Sequence, residues 1–212
     1  MTYSVLLHLP SSPAPRDVLR EMFRLRREVF ADRHGWSVNV RGGLERDPYD
    51  LMAPVYGLCV GPEGRLEGCW RLLPSSGPTL FKDVPVFRPL VDGAVPDATT
   101  VWEATRFAIR LPESGDGEGG LGRVHTVTGL LLEAMLELGL DHGIERMVAI
   151  CELPFERLLR RCGLQTSRLG QPVAIGNAPA VAGYFEASED NLERVRHRCL
   201  RPRDALPLTE AA

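Results

Sequence analysis

The chain has 212 residues, 44% of them hydrophobic and 25% charged, with a formal net charge of −3. That length and balance fit one globular domain of the α/β or α+β class. A slightly acidic chain lacks the global basic signature of nucleic-acid binding, so no nucleic-acid partner is expected.

Residues 1–15 hold a short apolar patch at 5–9 but no basic leader and no long apolar core. They read as a first strand and a Pro/Ser turn, not as a signal peptide or a membrane span. Residues 16–33 read as an amphipathic helix. At about 100° per residue, Val18, Leu19, Met22, Phe23, Leu25, Val29 and Phe30 share one arc, while Arg20, Glu21, Arg24, Arg27 and Glu28 fall outside it. Arg26 projects from the middle of the apolar arc. Either it snorkels at a helix edge, or it points inward and requires an anionic partner.

Residues 36–50 form a loop rich in Gly and Asp, followed by strands at 55–60 and 67–73 joined by a Gly-Pro-Glu-Gly turn. The proline-rich stretch 75–98 crosses the surface with short pieces of helix, and 101–110 is a strong strand. A Gly-rich loop at 114–122 precedes a mostly apolar helix at 124–140 and a strand at 147–151. A basic amphipathic helix at 154–162 ends at Gly163, and strands at 173–175 and 180–186 lead to a final helix at 191–200. The order of elements predicts a single domain over residues 1–200, a mixed sheet with helices on both faces, and a flexible tail at 201–212. Cys59, Cys69, Cys151, Cys162 and Cys199 are scattered and odd in number. Without a Cys-x-x-Cys motif or a Cys/His cluster they suggest neither a metal site nor a disulfide framework, and read as buried thiols of a cytoplasmic protein.

Several charged residues stand against this background. Asp47 and Asp50 lie in the run Gly-Leu-Glu-Arg-Asp-Pro-Tyr-Asp (43–50). For loop aspartates, turn formation is the ordinary explanation. Glu103 lies inside the apolar strand Val-Trp-Glu-Ala-Thr-Arg-Phe-Ala-Ile (101–109), where a carboxylate is either paired or functional. Arg106 follows three residues on and in a regular strand would face the other side, unless a bulge near Ala104 and Thr105 intervenes. Arg71 is a third candidate inward arginine. Arg26, Arg71 and Arg106 against Asp47, Asp50 and Glu103 fit a structural ion-pair network or a polar cleft for a zwitterionic substrate.

Together these motifs resemble the LuxI-type autoinducer synthases over nearly the whole chain. The match runs through Leu-Arg-Arg-Glu-Val-Phe (25–30), Gly-Trp (35–36), Glu-Arg-Asp-Pro-Tyr-Asp (45–50), Arg-Leu-Leu-Pro (71–74), Gly-Pro (77–78) and Trp-Glu-Ala-Thr-Arg-Phe-Ala-Ile (102–109). The runs at 156–164 and 175–184 look like the rhizobial branch. Family invariants fall on Arg26, Phe30, Trp36, Asp47, Asp50, Arg71, Glu103 and Arg106. Thr105 stands where the family usually has Ser, Tyr49 where it usually has Phe, and Phe81 and Phe87 both compete for the phenylalanine after the Gly-Pro turn.

The resemblance implies an N-acetyltransferase-like fold and a quorum-sensing enzyme that makes an acyl-homoserine lactone. The α-amine of S-adenosylmethionine attacks an acyl thioester on acyl carrier protein or coenzyme A, and the methionyl carboxylate then closes the lactone with loss of methylthioadenosine. S-adenosylmethionine is a substrate, and no cofactor is implied. The amine must be neutral to attack, so a base is needed. Glu103, directly or through water, is the expected base, with Asp47 assisting or binding the cationic substrate. Arg26 and Arg106 would hold the substrate carboxylate or order the acids. Phe30 and Trp36 would pack near the adenosyl portion and its sulfonium, with Asp50, Arg71, Thr105 and Phe107 completing the substrate site. Leu131, Met135 and Ala149 would line the acyl pocket; a threonine at the last position often accompanies 3-oxo products. Gly122 in the Gly-rich loop could cradle a phosphate of phosphopantetheine. Arg157, Arg160 and Arg161, with Arg168, could steer an acidic carrier, or form an ordinary solvated face. No cysteine adjoins a histidine in sequence, which disfavours a nucleophilic thiol. The alternative is a general coenzyme A-dependent N-acyltransferase acting on another amine. A methyltransferase is disfavoured because its Gly-rich motif after a first strand is missing.

Overall fold

The computed structural model describes residues 2–111, 117–175, 178–200 and 209–210. In chain order the elements are β1 (Ser4–His8), α1 (Arg16–Arg26) running into a π-helical segment (Arg27–Arg33), β2 (Val40–Arg41), β3 (Leu44–Glu45), a 3₁₀ turn (Pro48–Leu51), β4 (Val55–Val60) and β5 (Leu66–Pro74). Next come α2 (Leu80–Asp83), a second 3₁₀ turn (Pro85–Leu90), β6 (Val101–Ile109), α3 (Gly117–Asp141), β7 (Arg146–Glu152) and α4 (Leu153–Arg161). The chain closes with β8 (Ser167–Arg168), β9 (Val173–Ile175), β10 (Ala178–Glu186), α5 (Glu189–Cys199) and β11 (Thr209–Glu210). No described helix is long and apolar enough to cross a membrane.

The chain divides into two compact units: Met1–Arg71 with Arg106–Ala134 and Cys199–Ala212, and Leu72–Thr105 with Met135–Arg198. Strands β5 and β6 contribute residues to both. In the first unit the strand order is β11-β1-β4-β5-β6, with β1 antiparallel to β4 and parallel to β11. Its core forms where the apolar arc of α1 (Met22, Phe23, Leu25) and Val29 and Phe30 of the π segment meet Tyr56, Leu58, Leu66, Cys69 and Ala108. On α3, Val127 and Leu131 lie so close to β5 that a Cβ on Gly68 would stand 2.9 Å from the Leu131 side chain. Trp70 is fully buried and its indole N–H donates to the Leu131 carbonyl at 2.8 Å.

In the second unit the order is β5-β6-β7-β10-β8, with β9 also on β10. β6 and β7 are parallel and β7 and β10 antiparallel, so the pairing is mixed as expected. Phe81, Leu90, Val91, Val148, Ala180 and Ala182 form its core.

Three local features depart from the sequence expectation. The 16–33 helix is α-helical only to Arg26, because the ladder widens and the His34 N–H reaches the Val29 carbonyl five residues back. The 36–50 loop contains a hairpin, β2–β3, turned by Gly42 and Gly43, both at positive φ (57° and 76°), as a tight hairpin requires. The expected Gly-rich loop at 114–122 is helix from Gly117 on, so Gly122 lies within α3; residues 114–116 fall outside the described residues. Of the expected tail, residues 201–208 and 211–212 also fall outside them, while Thr209–Glu210 pairs with β1.

Candidate functional site

The first unit gathers six charged side chains in one cluster. Arg26 and Arg71 are fully buried, and their partners come from the β2–β3 hairpin and the turn behind it. Arg26 donates from Nε to Glu45 at 2.5 Å and from Nη1 and Nη2 to Asp50 at 2.7 and 3.0 Å. Arg71 on β5 grips Asp47 at 2.6 and 3.0 Å and reaches Asp50 Oδ1 at 2.8 Å. Arg106 on β6 meets Glu45 Oε1 at 3.1 Å and Asp47 Oδ2 at 2.7 Å. Arg26 is therefore the inward arginine with an anionic partner, not a snorkelling one. Each guanidinium also lies over an aromatic ring: Arg26 over Phe23 at 5.2 Å, Arg71 over Tyr49 at 5.4 Å and Arg106 over Phe30 at 5.4 Å.

Local sequence explains how the acids are held. Asp47 caps the Pro48–Leu51 turn, accepting from Tyr49 N at 3.0 Å, and Asp50 accepts in return from Asp47 N at 2.8 Å, with Pro48 at the first turn position. The aspartates thus both form the turn and pair with arginines. The Tyr56 hydroxyl on β4 donates to Asp50 Oδ1 at 2.7 Å. Burial alone would raise the Asp50 pKa, but its hydrogen bond to Arg26 and the charges of Arg26 and Arg71 outweigh this and hold it well below the usual carboxylate range. Burial and the adjoining Asp50 push the Tyr56 phenol upward, keeping it a donor.

Within the cluster, Arg26, Arg71 and Glu45 have no exposed side-chain surface and Asp50 keeps 6%, whereas Asp47 and Arg106 keep 10% and 12%. Those last two are the most accessible members of the cluster. Arg106 has φ 53°, left-handed for a non-glycine residue, so β6 is irregular one residue after the position expected for a bulge. The Cys69 thiol donates to its carbonyl at 3.7 Å. Beside Arg106, Phe30 stacks on Trp36 with ring centroids 5.3 Å apart, and Trp36 leaves 42% of its surface exposed.

Glu45 is the functional-type residue the sequence reading missed. Glu103 is placed differently from the other acids. It is buried in the second unit, and its carboxylate accepts the N–H groups of Leu80 and Phe81 at 3.0 and 3.2 Å, across the N-terminus of α2 that Thr79 also caps. Thr105 and Phe107 are partly buried on β6. Leu131 and Met135 are buried on α3, and Ala149 is half-buried on β7. Arg157, Arg160, Arg161 and Arg168 are exposed. The buried Glu156 accepts from Arg160 at 3.0 Å and from Arg168 at 2.9 and 2.6 Å, so part of that basic face is internally compensated. Gly122 is exposed with open space around it. All five cysteines are free, and burial pushes the thiols of Cys59, Cys69 and Cys151 up to about 12. Although no cysteine adjoins a histidine in sequence, Cys199 Sγ comes within 3.6 Å of His125 Nε2.

The profile of the autoinducer synthase family matches residues 13–195. An acyl-homoserine-lactone synthase of Rhizobium radiobacter is 38% identical over 179 residues, covering 84% of this chain and 82% of the relative. Among solved structures, the AHL synthase LasI superposes with a TM-score of 0.79 at 30% identity, covering 94% of this chain and 97% of that one. The coenzyme A-dependent acyl-homoserine lactone synthase BjaI, solved with SAM and isopentyl-CoA, superposes with a TM-score of 0.76 at 25% identity, covering 99% and 96%. The fold of these relatives is of the acetyltransferase type. On the extent of these matches, and with the arginine–acid cluster built from the residues the motifs single out, this chain belongs to the autoinducer synthase family.

Proposed function

We propose that this protein is an acyl-homoserine-lactone synthase that acylates S-adenosylmethionine and lactonises the product. The observation that carries the reading is the arginine–acid cluster, which presents Asp47 and Arg106 beside an exposed aromatic stack. S-adenosylmethionine offers a carboxylate, an α-amine and a sulfonium. Arg106 suits the carboxylate, Asp47 the ammonium form of the amine, and the face of Trp36 the sulfonium. Arg26, Arg71 and Glu45, being buried, and Asp50, bound to both buried arginines, set the positions of Asp47 and Arg106 rather than touch substrate. A general coenzyme A-dependent N-acyltransferase has no need of such a set.

In the first step the neutral α-amine attacks the thioester carbonyl, an amide bond forms, the carbon–sulfur bond breaks and the thiol leaves with a proton. Glu103, directly or through water, is our choice for removing the amine proton; the two amides of α2 fix its orientation. In the second step the carboxylate oxygen attacks the γ-carbon and neutral methylthioadenosine departs with the sulfonium's electron pair. Thr105, Phe30 and Phe107 complete the substrate site, which Asp50 and Arg71 order from behind through Asp47, and Leu131, Met135 and Ala149 line the acyl chain. The exposed arginines of α4 receive an acidic acyl carrier protein, with Gly122 near the phosphopantetheine; coenzyme A is the other donor. Five free thiols and thioester substrates fit a cytoplasmic setting.

The test mixes the purified protein with S-adenosylmethionine and a panel of acyl carrier protein and coenzyme A thioesters, with products read by mass spectrometry. Lactone and methylthioadenosine are expected. Their absence with every donor refutes the synthase reading. Glu103→Gln should slow acylation with the fold intact, and a normal rate in that variant moves the base to Asp47.

A further inference from the structure

The π-helical segment Arg27–Arg33 does more than end α1. Its wide ladder carries the chain to His34, whose N–H reaches the Val29 carbonyl at 3.0 Å, and then to Gly35 at φ 64°, a left-handed turn. That turn folds Trp36 back, and its N–H meets the Phe30 carbonyl at 2.8 Å. Three rings consequently meet. Phe30 and Trp36 stack at 5.3 Å and 21°, His34 lies 5.3 Å from Trp36 at 38°, and Phe30 and His34 stand 6.5 Å apart at 26°. His34 is exposed and its ring lies beside both others, so the indole has a second ring against it in addition to Phe30.

We infer that His34 is a positioning residue for the S-adenosylmethionine subsite: its imidazole buttresses the Trp36 indole against which the sulfonium-bearing substrate lies. The inference rests on the synthase reading above. The substrate binds a platform whose ordering cost is already met, and that benefit belongs to binding and not to the acyl transfer. What the stack requires is a flat ring, not an imidazole as such.

The experiment follows methylthioadenosine release by the full-length protein at varied S-adenosylmethionine. In His34→Ala, KM for S-adenosylmethionine should rise about five-fold, the effect of freeing one side chain at a binding face. The kcat and the KM for the acyl thioester should stay within about two-fold of wild type, and His34→Phe should restore the S-adenosylmethionine KM. A KM in His34→Ala indistinguishable from wild type overturns the inference, as does a folded His34→Phe that behaves like His34→Ala. A wild-type chain that releases no methylthioadenosine overturns the synthase reading and this inference with it. An active wild-type chain with an unchanged His34→Ala overturns this inference alone.

Discussion

Replacing Glu45 by Gln tests how the arginine cluster is held together. Glu45 has no exposed surface and bridges Arg26 Nε at 2.5 Å and Arg106 at 3.1 and 3.3 Å. With it, three arginines face three carboxylates and the cluster is neutral; without its charge, one buried positive charge remains uncompensated. Removing one partner of a buried ion pair costs about 3–5 kcal/mol. Gln keeps an acceptor oxygen for one guanidinium, and Arg26 keeps Asp50, so a loss of about 3 kcal/mol is expected. For a chain of this size that lowers Tm by roughly 6–12 °C, readable by circular dichroism. Adding Arg106→Gln restores neutrality, so the double variant should be more stable than the two single losses summed, by about 1–2 kcal/mol. A single variant within about 2 °C of wild type, or strict additivity in the double, would refute the claim that charge balance holds the cluster.

Three further outcomes follow from the packing and the titrations. Gly57→Ala places a Cβ 2.2 Å from the buried Trp70 indole, which the Leu131 carbonyl pins in place, and should cost about 1–3 kcal/mol in chemical denaturation. Asp50 has a depressed folded pKa, so its contribution to stability is complete above the unfolded value of about 4 and is lost as pH falls toward the folded value. Acid unfolding should therefore steepen below about pH 4, and Asp50→Asn should flatten that limb in a pH titration followed by circular dichroism. Finally, Cys59 and Cys69 are buried with thiols pushed up to about 12, so a thiol reagent at pH about 8 should leave both unmodified until denaturant is added, as read by mass spectrometry of peptides.

The parts of the site legible in the sequence are those that break a pattern. Arg26 interrupts an apolar arc and Glu103 an apolar strand, and both proved buried. The strands at Val55–Val60 and Val173–Ile175 were legible to the residue because turn residues bound them on both sides. Glu45 was not legible, since it sits in a two-residue strand too short to show any period. Nor does a charge count expose it, because Glu103 balances the three arginines on paper; only its acceptance of two backbone amides in the fold leaves Arg26, Arg71 and Arg106 one carboxylate short. The π segment escaped for a related reason, because seven residues of altered ladder hardly disturb an arc of apolar positions. Propensity alone makes the glycines before Gly122 a loop, whereas the long helix α3 carries its first turns through them. The approach of Cys199 to His125 joins residues 74 positions apart, a distance no local pattern spans.

The π-helical segment also makes the aromatic face sensitive to chain length as distinct from residue identity. Losing one residue between Phe30 and Trp36 would change the reach of the bonds that return the His34 N–H to Val29 and the Trp36 N–H to Phe30, since both depend on the wide ladder. Phe30 and Trp36 would then no longer meet, though neither had changed. In this stretch the spacing is itself the heritable feature, and substitution tables alone will underestimate how tightly it is constrained.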